Sequence, residues 1–139
     1  VPFVLRSKVA MGTGYGSQHS MDPAGVYTTS AGFRIVAPST PFDYVGLMNT
    51  ALALDDPVVV LEHVDLYASS GPGVPDEFDH YLPVGKAALR RTGDALTVIS
   101  YGWMVQHALD AVAETGVDAD VIDLPRRLKL RATNMTLAL

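Results

Sequence analysis

Apolar residues in this chain fall into short runs separated by glycine, proline and acidic breaks, and the spacing changes from run to run. Residues 1–5, VPFVL, form an apolar run of the kind that fills a strand covered on both faces, with Pro2 tolerable only near its start. Residues 33–37, FRIVA, are a second strand candidate. Pro38 closes that run and would interrupt a sheet ladder unless it lay at an edge. Residues 58–62, VVVLE, carry three β-branched residues in a row and are the most strand-like segment of the chain. Between these strands the series Tyr44, Leu47, Met48, Ala51, Leu52 keeps helical spacing. Thr40 offers an N-cap oxygen, Pro41 suits the first helical position, and Asp43 stands where a capping-box acid reaches back. Asp55, Asp56 and Pro57 end the pattern, so a helix is predicted over about 41–54. Strand, helix and strand in succession predict a parallel α/β sheet.

A second pattern of the same kind begins after a polar interruption. Residues 68–83, ASSGPGVPDEFDHYLP, mix glycines and prolines with acids, a histidine and small polar groups, and read as a surface loop or linker at a domain boundary. Beyond it, 86–90 and 96–100 are strand candidates. Met104, Val105, Ala108, Leu109 and Val112 stripe one helical face, Gly116 marks its stop, and 117–124 is a further strand. This second β-α-β unit is too short for a finished α/β layer. The tail RATNMTLAL has no clear period.

Composition narrows the function classes. With 139 residues, 48% hydrophobic, 18% charged and a mean hydropathy of +0.20, the chain has the material for a real core, and the excess of apolar side chains suits a buried interface. The net charge is −5, and Lys and Arg are scattered apart from Arg126, Arg127, Lys129 and Arg131, so the basic stripe with interleaved aromatics expected of a nucleic-acid binder is missing. Cysteine is absent, which removes disulfides, thiolate metal sites and a cysteine nucleophile, and is compatible with a reducing, cytoplasmic compartment. No apolar run approaches the roughly 18 residues that span a bilayer, so no membrane partner is expected. The beginning, VPFVLRSKVAMG, reads as cut from a longer chain.

The chemistry-bearing candidates start with GTGYGSQHSMDPAG, residues 12–25. Gly12, Gly14 and Gly16 follow G-x-G-x-G, which is not the dinucleotide fingerprint, and no Lys-Ser or Lys-Thr pair makes it a phosphate loop. Composition alone favours a flexible loop with backbone at positive φ. Against that stands SQHS, residues 17–20: a histidine among hydroxyls and an amide able to fix its tautomer is the arrangement that proton transfer requires. The bland alternative is an imidazole whose nitrogens are both taken by neighbouring backbone. Glu62, His63 and Asp65 lie at a strand end, where α/β sheets bind ligands, but their spacing sends them to alternating faces and disfavours a transition metal. His80 in the linker and His107 on the polar side of its helix read as solvated surface. No G-x-S-x-G nucleophile elbow is present.

Four stretches taken in order resemble a known family. PFVLRSKVAMGTGYGSQHS, GFRIVAPSTPFDYVGLMNTALALDDPVVVLEH, YLPVGKAALRRTGDALTVISYGWMVQHALDAV and ADVIDL are similar to the beta subunit of the first, thiamine-diphosphate-dependent component of 2-oxo acid and acetoin dehydrogenase complexes. The resemblance covers residues 1 to about 125. It implies the latter part of a transketolase-like pyrimidine-binding domain over 1–67, a linker over 68–83, and an incomplete start of a transketolase C-terminal-type domain over 84–139.

The resemblance also implies chemistry. It makes His19, in the Q-H-S motif, a group for proton transfer and for handing an acyl unit to a lipoyl arm, which reverses the reading from composition. A structural potassium ion is implied on main-chain carbonyls of Phe3, Ala51, Leu52, Leu54 and Asp56, with Leu54 standing where some relatives carry an acid. The implied partners are an alpha subunit, a second beta subunit and a lipoyl-bearing acyltransferase. The glutamate that activates the cofactor's aminopyrimidine lies upstream in this family, and its magnesium and diphosphate are held by a G-D-G motif of the alpha subunit. Thiamine diphosphate binding by this stretch alone is therefore not expected. Two rival readings are a noncatalytic truncated paralogue or assembly module of the same fold, and another transketolase-like enzyme acting on sugar phosphates. The wording around the Q-H-S motif leans towards acetoin or branched-chain types.

Overall fold

The computed structural model describes residues 1–29, 32–71, 73–76 and 79–125. The basic cluster from Arg126 to Arg131 and the tail RATNMTLAL lie outside them. Two three-stranded sheets are present among the described residues. The first has strands β1 (Val4–Val9), β2 (Arg34–Val36) and β3 (Val58–His63) in the order β1-β3-β2, all parallel, with Val4 opposite Val58 and Arg34 opposite Val58 from the other side. Helix α1 (Ala24–Thr29) follows the glycine loop, and α2 (Pro41–Ala53) connects β2 to β3.

The central strand explains the sheet. Every residue of β3 is buried. Val59 and Leu61 pack with Val9, Ile35 and Ala37 on one face, and Val58 and Val60 pack with Val36 and with Leu47 and Ala51 of α2 on the other. A continuous β-branched run is what a strand covered on both faces requires. Helix α2 starts as its sequence dictates: Thr40 Oγ1 accepts the Asp43 N–H at 3.1 Å. Asp43 itself does not reach back to the Thr40 N–H. Its Oδ2 takes the Thr40 hydroxyl at 2.6 Å and an Arg90 N–H from the second sheet.

The second sheet has strands β4 (Ala88–Arg91), β5 (Leu96–Ser100) and β6 (Ala119–Asp123) in the order β4-β6-β5, with α3 (Trp103–Thr115) between β5 and β6. β5 and β6 pair in parallel and form the expected β-α-β unit, whereas β4 runs antiparallel to β6 with an irregularity between Leu89 and Arg91. Val105 and Val112 of α3 cover Ala119 and Val121 of β6. Gly116 closes α3 in the left-handed region at φ 69°, as its position after the apolar stripe predicts.

Four expectations change. The first strand begins at Val4 and runs through Arg6, Ser7 and Lys8; it borders one neighbour rather than two, Arg6 and Lys8 are exposed, and the run at 1–3 lies before it. The second sheet is mixed rather than wholly parallel. The segment before β4 is also not merely a surface linker, because Leu82 N–H bonds Gly46 O at 3.1 Å, Thr50 Oγ1 bonds Leu82 O at 2.7 Å, and Leu82 and Val84 pack on the α2 core. His80 follows: its ring tilts on Phe42 at 4.1 Å and its Nε2 lies 3.2 Å from Phe42 O, so it is packed rather than solvated.

The sheets meet through a polar seam. Ala37 N–H donates to Pro125 O at 2.7 Å, and Gln106 Nε2 to Ser39 O at 3.2 Å. Buried Asp123, the last residue of β6, accepts Arg90 Nε at 2.9 Å, Arg90 Nη2 at 2.7 Å and Ser39 Oγ at 2.5 Å, all on Oδ2.

Candidate active site

A cleft of about 660 Å³ opens between the sheets, at the carboxyl ends of β1, β3 and β5. Strand ends of this kind are where α/β sheets place ligands, because the backbone turns away and leaves side chains converging on free space. Val9, Met11, Leu61 and His63 form one wall and Ser100, Tyr101, Trp103 and His107 the other.

His63, the final residue of β3, is buried with both ring nitrogens engaged. Asp65 N–H donates to Nδ1 at 3.3 Å, which assigns the proton to Nε2, and Nε2 lies 3.1 Å from Met11 O as donor. Its ring stacks near Trp103 at 6.2 Å between centroids, and His107 meets that indole edge-on at 4.9 Å. His107 is exposed as expected, yet it belongs to the cleft wall. The adjacent Glu62 takes different partners, in keeping with strand alternation. Among the described residues no group of three or more His, Asp or Glu is arranged to hold a metal.

The glycine loop forms the rim of this cleft, contributing Met11, Gly12 and Asp22. Gly12, Gly14 and Gly16 have φ of 86°, 78° and 82°, a region closed to most side chains, so the glycine spacing is a backbone requirement. The loop is closed by its own bonds: Ala10 N–H to Met21 O at 3.4 Å, Ser20 N–H to Gly16 O at 2.9 Å, and Tyr15 N–H to Ser20 Oγ at 2.6 Å. Lys8 Nζ lies 4.7 Å from the centre of the Tyr15 ring. His19 sits exposed in this loop and does not line the cleft itself. Tyr101, at the end of β5, donates its hydroxyl to Asp22 Oδ2 at 2.8 Å across the cleft. Burial, and next the Asp22 carboxylate, push the Tyr101 phenol up to about 12.

A second depression of about 410 Å³ is centred on Glu62. Arg6 holds this buried carboxylate with a two-pronged bond, Nε to Oε1 at 2.6 Å and Nη2 to Oε2 at 2.9 Å. Tyr44 adds its hydroxyl to Oε1 at 2.9 Å and Tyr67 to Oε2 at 3.2 Å. Burial acts to raise the Glu62 carboxyl, but the bonds from Arg6 and the two phenols outweigh it and hold it below the usual carboxylate range. Burial pushes Tyr44 up to about 12, with its bond to Glu62 adding to the shift, and Tyr67 moves the same way.

The residues named for a monovalent cation cluster where β1 begins and α2 ends. Phe3 O accepts Val58 N–H at 2.9 Å, and Ala51 O accepts Leu54 N–H at 3.4 Å. Leu52 is exposed on the last turn of α2, and the Asp56 carboxylate bonds Arg34 Nε at 2.5 Å. The Phe3 and Ala51 oxygens thus already accept backbone N–H groups, and the Asp56 carboxylate is committed to Arg34.

Sequence reasoning named His19 but missed Tyr101, Trp103 and the Glu62 bonding set. Tyr101 and Trp103 flank the glycine that opens α3, and their signal was their place between a strand end and a helix start, the position already credited to His63. Arg6, Tyr44 and Tyr67 had no such signal, because three separate elements bring them to one carboxylate.

Residues 1–69 match the family model described as the pyrimidine-binding domain of transketolase, and residues 85–133 match the transketolase C-terminal domain. The chain therefore carries, in this order, segments matching both transketolase-type domains. Its relatives include the 2-oxoisovalerate dehydrogenase subunit beta of Pseudomonas aeruginosa, 39% identical over 89% of this chain and 40% of that protein. The acetoin:2,6-dichlorophenolindophenol oxidoreductase subunit beta of Cupriavidus necator is 37% identical over 88% of this chain and 37% of its own length. The pyruvate dehydrogenase E1 component subunit beta of Bacillus subtilis is 38% identical, over 88% and 38%. The chain spans about two-fifths of the length of the curated relatives it matches. Among solved structures, a split-gene transketolase described as an inactive beta4 tetramer superposes with a TM-score of 0.63 at 17% identity, covering 88% of this chain and 39% of that one. A transketolase mutant from Pichia stipitis gives 0.66 at 12% identity, covering 91% and 19%. Those likenesses establish the expected transketolase-like α/β fold.

Proposed function

We propose that this chain is part of the beta subunit of a thiamine-diphosphate-dependent dehydrogenase that decarboxylates a 2-oxo acid or cleaves acetoin and passes the acyl unit to lipoamide. The observation that carries this reading is the exposed His19, in a loop whose ends line a cleft at the strand termini, in a chain 36–39% identical to beta subunits of that kind. An imidazole titrates near neutrality, and an exposed one on a glycine-rich support is reachable by a group carried on another protein. When the lipoyl disulfide opens, one sulfur takes the acyl carbon and the other leaves as a thiolate that needs a proton. His19 supplies it.

The described residues do not by themselves fit thiamine diphosphate with Mg²⁺. The cleft wall carries Asp22 and Asp65 but no Lys or Arg to meet a diphosphate, and Glu62 is saturated by four donors rather than free for a ring nitrogen. The cofactor and its metal belong to the assembled enzyme, with the alpha subunit holding the diphosphate, a second beta subunit completing the assembly and a lipoyl-bearing acyltransferase receiving the product. A potassium ion on main-chain oxygens of Phe3, Ala51, Leu52, Leu54 and Asp56 is part of this proposal; of these oxygens, those of Phe3 and Ala51 already accept one backbone N–H each.

Replacing His19 by Ala in the assembled enzyme is expected to lower lipoyl acylation by about 10²- to 10⁴-fold while cofactor affinity stays the same. Acylation at the parental rate removes His19 from the mechanism. The missing diphosphate ligands also favour a second reading, a noncatalytic assembly module of the same fold. Calorimetry with thiamine diphosphate and Mg²⁺, with and without an alpha subunit, separates the two: uptake only with the alpha subunit supports the enzyme, and none in either case supports the module. Turnover of sugar phosphates would instead revive a transketolase-like activity.

A further inference from the structure

We infer that Tyr101 is a positioning residue for the His19 loop, so that the second sheet controls a site built on the first. The inference rests on the role proposed for His19 and adds to it the residue that holds the loop in place.

The loop has three glycines at positive φ with open space on the side a Cβ would occupy, and it is held in shape by its own bonds, Ser20 N–H to Gly16 O and Tyr15 N–H to Ser20 Oγ. Besides Lys8 against Tyr15, its ties to the two sheets lie at its ends. At the first, His63 Nε2 bonds Met11 O at 3.1 Å, which ties the loop to β3. At the second, three residues past His19, Asp22 divides its carboxylate: Oδ1 accepts the Ala24 N–H at 2.8 Å, and Oδ2 accepts the Tyr101 hydroxyl at 2.8 Å. The first of these bonds is local to the start of α1. The second is the tie between the His19 end of the loop and the other sheet.

Tyr101 is suited to this task. It follows the last residue of β5, whose position is fixed by its ladder to β6, and precedes Gly102, whose φ of 57° turns the chain into α3. Any rearrangement of the second sheet against the first therefore reaches the Asp22 carboxylate directly. Losing the hydroxyl leaves Asp22 its local bond, so α1 persists while the loop between Gly12 and Met21 keeps its internal bonds and loses its hold on the second sheet. That separates a positioning role from a role in folding.

The test compares Tyr101→Phe, Asp22→Asn and the double variant. In the intact chain, hydrogen exchange over residues 12–21 is expected to rise about tenfold in Tyr101→Phe, the effect of losing one hydrogen bond to a charged group. Exchange in α3 should stay unchanged. The effect of the double variant should fall short of the sum of the single ones, because both substitutions act on the same contact. Unchanged exchange in the loop, equal increases in α3, or additive effects of the two substitutions each overturn the inference. In the assembled enzyme, Tyr101→Phe should lower lipoyl acylation about three- to tenfold with the KM for the 2-oxo substrate unaltered, and a raised KM with unaltered turnover would count against it. The two readings fail separately. If the loop responds while His19→Ala acylates at the parental rate, the role of His19 falls and the tie stands; if His19→Ala is impaired while the loop ignores Tyr101→Phe, the tie falls.

Discussion

Glu62 and Asp123 are both buried carboxylates near the ends of central strands, one in each sheet, and they are served very differently. Glu62 has both oxygens engaged, by one guanidinium and two phenols. Asp123 receives Arg90 and Ser39 on Oδ2 alone, its buried Oδ1 has no hydrogen-bond partner, and its guanidinium is shared with the buried Asp43. The carboxyl groups accordingly move in opposite directions: that of Glu62 lies below its ordinary value, whereas burial pushes that of Asp123 up, against the bonds from Ser39 and Arg90. Burial by itself does not set the sign. The balance of burial against the donors and charges around each carboxyl does, and at Asp123 the neighbouring Asp43 adds to the upward shift.

The most severe way to break the comparison is to remove the shared guanidinium. Arg90→Met should cost about 3–5 kcal/mol, read from urea unfolding, because it strands two buried carboxylates at the seam. A loss under about 1 kcal/mol would show that the seam is solvated and that the contrast with Glu62 is false. Glu62→Gln comes next, at about 1–3 kcal/mol, since it leaves donors facing an amide that can no longer accept from all of them.

Acid titration sharpens the contrast. Folded Glu62 releases its proton at a lower pH than the unfolded chain does, so its contribution is present above the ordinary glutamate range and is lost as pH falls through its depressed value. Folded Asp123 keeps its proton to a higher pH than the unfolded chain, so its contribution is present at low pH and is lost as pH rises through the raised value. Measured as stability against pH, Glu62→Gln should flatten the acid limb, while Asp123→Asn should remove a loss on going towards neutrality. Slopes that both substitutions change in the same direction would refute the assignment. The smallest effects belong to the phenols: Tyr44→Phe should cost about 0.5–1.5 kcal/mol and Tyr67→Phe less, because the Tyr67 bond is longer and its ring is largely exposed.

Much of the fold was legible because local rules and packing agree in it. Thr40, Pro41 and the Tyr44–Leu52 spacing give α2 at Pro41–Ala53, and the β-branched run gives β3 at Val58–His63. Elements whose limits depend on neighbours were less legible. β1 starts three residues late because an edge strand tolerates Arg6, Ser7 and Lys8 and needs no apolar run. The direction of β4 carries no local mark, since it is fixed by pairing with β6 some thirty residues later. Within the candidate site, the Q-H-S motif was visible as a cluster of small and polar residues. Tyr101 was not, because its meaning comes from Asp22, 79 positions away in sequence.

The sole tryptophan of the chain, Trp103, lies in the cleft wall between the imidazoles of His63 and His107. The protein therefore carries its own optical gauge: intrinsic indole emission arises at one place only, the junction between the two sheets, and any guest or partner that enters there alters the emission without a label.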